Sequence, residues 1–216
     1  MSADPTGFHG AKNPVVRSEP STRLQDLGVR VCELDRDIEA DLVLFRAGLA
    51  EFAAGWMREH ARRIAVSQNQ VTLKLGRKRV AELKGQIDDH IRIVPDLIES
   101  EFTLERYGQG IQGSSGQVSA VVARQFEQGV RRVLATVYPV LEDSGYARDE
   151  HFLDDEPAGA SPRPRFAPPF ELPPDLDDLV QRIADRVTDR KVVEAKIAAH
   201  EVQSHKVQAA RLWDEA

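Results

Sequence analysis

Three stretches of this sequence carry residue types at spacings that could do chemistry. Gly108-x-Gly110-x-x-Gly113 has the spelling of a dinucleotide fingerprint, whose glycines let backbone amides approach a pyrophosphate at a helix N-terminus. That geometry needs a strand before the first glycine, and Leu97 to Tyr107 has a helical pattern instead, so the glycines read as a helix–helix turn. His200-Glu201-x-x-x-His205 resembles a zinc-peptidase helix with one residue too many. Histidines five apart diverge by about 140° around a helix, whereas ligands at i and i+4 share a face. Asp88-Asp89-His90 reads as surface or bundle-edge polarity. No Glu-x-x-His, serine elbow or phosphate loop ending in Gly-Lys-Ser/Thr occurs, and the sequence assigns no catalytic residue, cofactor or metal.

The third stretch is electrostatic. Arg58, Arg62, Arg63, Lys74, Arg77, Lys78, Arg79 and Lys84 face only Glu59 and Glu82 between residues 58 and 84, a net of +6. Phosphates could be held by such a cluster. Against that, the chain carries −6 overall and no aromatic residue lies between Trp56 and Phe102 to stack a base. Residues 142–178 hold eleven acids against three Arg, a net of −8. A basic hairpin end and an acidic linker can neutralise each other within one chain. Nucleic acid is therefore the least favoured reading, after a solvated or internally neutralised face and then an acidic partner surface.

These stretches need elements to hold them, and a long helical stripe dominates. Leu24, Leu27, Val31, Leu34, Ile38, Leu42, Phe45, Leu49, Phe52 and Trp56 cross 32 residues in nine steps of three or four. The spacing predicts a helix from Thr22 to about Ala65 with one apolar edge that requires partner helices. Leu42, Phe45, Leu49, Phe52 and Trp56 are its candidate helix–helix interface, and the length of the stripe suggests an oligomer. Gly48 and Gly55 weaken this helix unless a neighbour approaches closely there. Cys32, the one cysteine, excludes an internal disulfide and is expected as a small packed thiol.

A break is expected at Val66–Gln70, with a brief strand-like alternation at Val71, Leu73 and Leu75 set against helix. A second helix follows from Val80 to about Tyr107, kinked at Pro95. A third carries Val118 to Leu141, disturbed by Pro139 and ended by Gly145. Seven of the twelve prolines fall in 146–174, and Leu176 to Ile197 gives a further stripe that fades into a solvated tail. The expected organisation is a disordered arm (1–21), a long-helix bundle (22–145), an acidic Pro-rich linker (146–174) and a C-terminal helix (175–216) forming a separable module. The fold class is all-α, an elongated antiparallel bundle or coiled coil.

Phe126 to Gly145 resembles a helix of the nucleotide exchange factors of Hsp70-type chaperones, over about a tenth of the chain. The Phe-Asp-Pro and His-Glu-Ala signature of that family is absent after it. Tyr146-x-x-x-Glu150, after a helical hairpin, is similar to the export signal of type VII secretion substrates; Tyr138-x-x-x-Glu142 has the same spacing, and no Trp-x-Gly turn occurs. Either likeness implies a chaperone or secretion-machinery cofactor. Residues 1–20 have no apolar signal core, and Leu42–Met57 is too short and charged to span a bilayer, so the expected location is the cytoplasm. Arg outnumbers Lys 22 to 7, which reads as a GC-rich bacterial genome. The sequence points to a non-enzymatic helical scaffold, adaptor or assembly subunit. Its alternatives are a weak electrostatic nucleic-acid binder and the cofactor role above.

Overall fold

A computed structural model describes residues 19–72, 77–111, 115–143 and 170–214. Five α-helices account for most of them: α1 (Glu19–Thr72), α2 (Arg77–Glu101), α3 (Ser115–Ala135), α4 (Val137–Asp143) and α5 (Pro174–Asp214). A π-helical turn, Glu105–Gln109, lies between α2 and α3, and the described residues contain no strand. The fold is all-α, a bundle of long helices.

α1 runs for 54 residues, about 80 Å at ~1.5 Å per residue. It does not break at Val66–Gln70, where no glycine or proline interrupts a helix that already propagates. Val71 is helical, and the remainder of the strand-like alternation (73–76) falls outside the described residues. α2 continues through Pro95 and stops at Glu101, earlier than the expected Tyr107. The stop is tertiary: Arg46 of α1 donates to the Phe102 carbonyl at 2.9 Å, placing a cation on the orphan acceptors at the end of α2. Beyond it, Gly110 N donates to the Glu105 carbonyl, a five-residue reach that makes the π-helical turn.

Pro139 does more than disturb the third helix. It cannot donate to the carbonyl of Ala135, and the chain turns at Thr136, separating α3 from α4. The Thr136 amide and hydroxyl both donate to the Val133 carbonyl, at 3.2 and 2.7 Å, and satisfy the end of α3.

α5 packs most extensively along α1 and next along α3, while α2 pairs with α1. The α1 stripe is thus covered in cis: Ile38, Leu42, Phe45, Leu49 and Ala53 are completely buried. Phe45, Phe102, Tyr107 and Phe126 form the centre, with ring centroids 4.5–5.4 Å apart, mostly edge to face. Gly129 of α3 admits this cluster, since a Cβ there would fall 2.8 Å from Phe102 Cζ. Leu176, Val180, Ile183, Ala184 and Val187 of α5 belong to the same core. The C-terminal stripe, expected to stand apart, therefore has its partner within the chain. The expected linker falls outside the described residues as far as Pro169; Phe170 and Leu172 pack against the core.

Candidate functional site

The strongest arrangement of charged side chains is a seam between α1 and α5. Arg182, Arg186 and Arg190 repeat every four residues and so share one face of α5. Asp41, 5% exposed, accepts from Arg182 at 3.2 Å and from Arg186, which also donates to the Asp37 carbonyl at 2.7 Å. Arg190, 7% exposed, donates to Asp35 at 2.5 Å and to Glu194 at 2.5 Å. Burial works against the Arg190 charge, but the Asp35 hydrogen bond and both carboxylates raise its pKa. Together with Leu176 against Gly48, these pairs run α5 antiparallel to α1. A buried Asp with two arginines contributes little net stability against an apolar alternative, but it penalises every register that separates them. Sequence reading missed this row, although the Arg182/Arg186/Arg190 spacing was there to be seen.

A second cluster ties α2 to α3. Glu101 accepts from Arg132 (2.5 Å), Arg106 (2.8 Å) and the buried Tyr107 hydroxyl (2.9 Å). Burial would raise the Glu101 pKa, but the Arg132 and Tyr107 hydrogen bonds outweigh it and lower the pKa. Burial, then the Glu101 charge, pushes the Tyr107 pKa up.

Among the candidate interface residues, Leu42, Phe45 and Leu49 are interior. They make helix–helix contacts inside the chain, so they no longer argue for a second one. Phe52 and Trp56 are half-buried at the core edge. Trp56 stacks on His60 at 4.6 Å, and His60 Nε2 meets the Tyr138 hydroxyl at 2.9 Å. A shallow groove of about 420 Å³ runs over this face between Glu51 and Arg63. His90 Nε2 of α2 lies 3.0 Å from Oγ1 of Thr136, at the turn between α3 and α4. Burial lowers the pKa of both histidines, aided at His60 by the Arg63 charge.

Several of the candidate basic residues stand beside carboxylates. Arg58 pairs with Asp88 at 3.0 Å, Arg62 and Arg63 both pair with Glu59 at 2.9 and 3.0 Å, and Lys78 approaches Glu82 at 3.9 Å. Hydrogen bonds from Arg62 and then Arg63 hold the Glu59 pKa down to about 2. Arg79 and Lys84 are exposed on α2, while the side chains of Lys74 and Arg77 lie outside the described residues. Four of the eight cations thus meet carboxylates of α1 and α2.

The glycine-rich stretch is helical turn through Gly110, and Gly113 lies outside the described residues. His200 is half-buried while Glu201 and His205 are exposed, and no three His, Cys, Asp or Glu among the described residues are placed to hold a metal. Cys32 is exposed and not packed as expected, because the helix turns Val31 and Leu34 toward its partners and Cys32 away.

One feature of α5 differs from everything above. From Glu201 to Trp213 every side chain is exposed, Trp213 at 83%, yet the helix continues to Asp214. No described helix is long and apolar enough to cross a membrane. Comparison with protein families, curated proteins and solved structures finds no match to this chain.

Proposed function

We propose that this chain is a non-enzymatic helical scaffold or assembly subunit of the cytoplasm, working through helix–helix contacts with protein. The observation that carries this reading is the exposed end of α5. Isolated helices shorter than ~12–15 residues are marginal in water, and most helical stability comes from packing one face. Residues 201–213 contribute no buried side chain to the core, yet they hold Val202, Val207, Leu212 and Trp213 in solvent. A surface helix with an exposed Trp and aliphatic neighbours has the composition of an interface anchor. Nothing comparable favours nucleic acid, since Arg58, Arg62, Arg63 and Lys78 have carboxylate neighbours.

Cross-linking in the native cells tests the reading. The full chain is expected to give protein adducts that a chain ending at His200 loses while keeping its melting temperature. Adducts that persist without residues 201–216, or none with the full chain, would contradict it.

A further inference from the structure

α5 covers only part of the α1 face on which it lies. It begins at Pro174, and Leu176 seats against Gly48, where a Cβ would fall 2.7 Å from Leu176 Cδ2. From there it runs back along α1 past Asp41 to Asp35. In the other direction the same face of α1 continues through Phe52, Gly55 and Glu59, which follow Gly48 at four, seven and eleven residues. α5 starts too late to cover them. The groove of about 420 Å³ lies on this continuation, and every residue lining it belongs to α1. Its makeup repeats that of the covered stretch. Gly55 stands seven residues after Gly48, but a Cβ there meets nothing within 4 Å. A glycine inside a helix costs roughly 1 kcal/mol against alanine, and at Gly55 no close neighbour uses the space. Phe52 and Trp56 are half-buried beside it, and Glu51 is exposed at its rim.

Resting on the assembly reading above, we infer that this groove is a docking site for an amphipathic helix of a partner protein, seated in line with α5. Three observations select that occupant. The first is continuity. The face is the one on which α1 already holds a helix, and a second helix laid end to end with α5 extends an interface the chain has built. The second is fit. Residues 51–63 offer about 18 Å of α1, the length over which a docked helix places anchors at i, i+3, i+4 and i+7. An aliphatic side chain of the partner fills the space over Gly55, as Leu176 fills that over Gly48. The third is charge. α5 answers Asp41 with Arg182 and Arg186. Within the groove, Glu59 is already answered by Arg62 and Arg63, and the Glu51 end takes an Arg or Lys of the partner in the same way.

A photo-reactive p-benzoylphenylalanine in place of Arg63, carried by the full chain in the native cells, tests this, with each adduct mapped to its residues by mass spectrometry. The expected adduct joins position 63 to a segment of another protein with apolar residues at three- and four-residue spacing and Arg or Lys on one flank. Gly55→Leu, whose Cβ enters open space, should cut that adduct by about tenfold with helicity and melting retained. Glu51→Lys should reduce it as well. Val43→Glu, at a position 51% exposed on another face of α1, should leave the yield unchanged. No adduct, an adduct with residues 144–169 of the same chain or with a second copy, a partner segment without that pattern, or a yield indifferent to Gly55→Leu would each overturn the inference. If position 63 is silent while adducts that depend on residues 201–216 persist, only this inference falls. If both are absent, the assembly reading falls as well.

Discussion

α5 places its two ends in opposite environments. From Leu176 to Val193 most of its apolar positions are buried against α1 and α3, and its arginines are fixed on Asp41 and Asp35. From Glu201 to Trp213 the stripe has faded and the same helix buries nothing. The difference is supplied by neighbours: α3 and the π-helical turn reach the level of Arg190, and the helix continues past them. A helix can therefore be essential at one end and dispensable to folding at the other, and truncation is the direct way to break or sharpen that contrast. A fragment ending at residue 145 should lose cooperative thermal unfolding by circular dichroism, because it exposes the α1 and α3 faces that α5 covers. One ending at His200 should melt within a few degrees of the full chain. A stable, cooperative 22–145 fragment would restore the separable C-terminal module read from the sequence.

Point substitutions along one stripe give the next largest contrast. Phe45→Ala should cost about 3–5 kcal/mol, since it empties the aromatic centre. Leu24→Ala, at the half-buried N-terminal end of α1, should cost well under half of that. Chemical denaturation of both variants checks the ratio, and equal losses would mean that this end of α1 is packed as firmly as the core. Asp41→Ala should cost about 1.5–3 kcal/mol, the range of hydrogen bonds to charged groups, because it leaves the half-buried Arg186 with only the Asp37 carbonyl and no carboxylate. Arg30→Ala, in an exposed i,i+3 pair with Glu33, should fall within ~0.5 kcal/mol of wild type.

Much of the fold was legible because it follows from periodicity. The α1 stripe, the second and third helices and the C-terminal stripe all appear where apolar residues recur at three and four. What periodicity does not encode is which neighbour ends an element. The stop of α2 depends on Arg46, 56 residues before the carbonyl it caps, and no local signal at Phe102 announces that. Cys32 was misplaced because adjacency to Val31 says nothing about which side of a helix is covered. The basic cluster was visible as composition, and its Arg62 and Arg63 pairs with Glu59, at i,i+3 and i,i+4 within α1, were legible too; only the Arg58–Asp88 pair is a property of the α1–α2 pairing. The Arg182/Arg186/Arg190 row was visible and was passed over, since a charge row gains meaning only once Asp35 and Asp41 stand opposite. Past Ile197, the fading of the stripe was legible, but not that the helix persists through it to Asp214.

Two glycines on α1 give a smaller test. A Cβ on Gly55 meets nothing within 4 Å, so Gly55→Ala should stabilise by about 0.8–1 kcal/mol through helix propensity. A Cβ on Gly48 would fall 2.7 Å from Leu176 Cδ2, so Gly48→Ala should gain less, or lose, as Leu176 moves aside. A Gly48→Ala gain equal to that of Gly55→Ala, measured by urea titration, would mean that α5 does not approach α1 closely there.

The smallest effect is with pH. Burial holds His60 and His90 below their ordinary pKa, so the unfolded chain binds more protons as pH falls below about 6.5. Their contribution is complete above that pH and is lost as pH falls through the folded-state values. Glu101 behaves in the same direction at lower pH, losing its contribution as pH falls below about 4.5. Stability should be level from pH 8 to 7 and decline in two stages below. A His60→Gln, His90→Gln variant should show a shallower first stage in melting temperature against pH; an unchanged profile would assign that stage to other groups.

Amide hydrogen exchange along α5, followed at several protein concentrations, tests the two-environment account most directly. Residues 176–193 should be strongly protected at every concentration. Residues 201–213 should be nearly unprotected in dilute solution. Strong protection of 201–213 there, or weak protection of 176–193, would contradict the account.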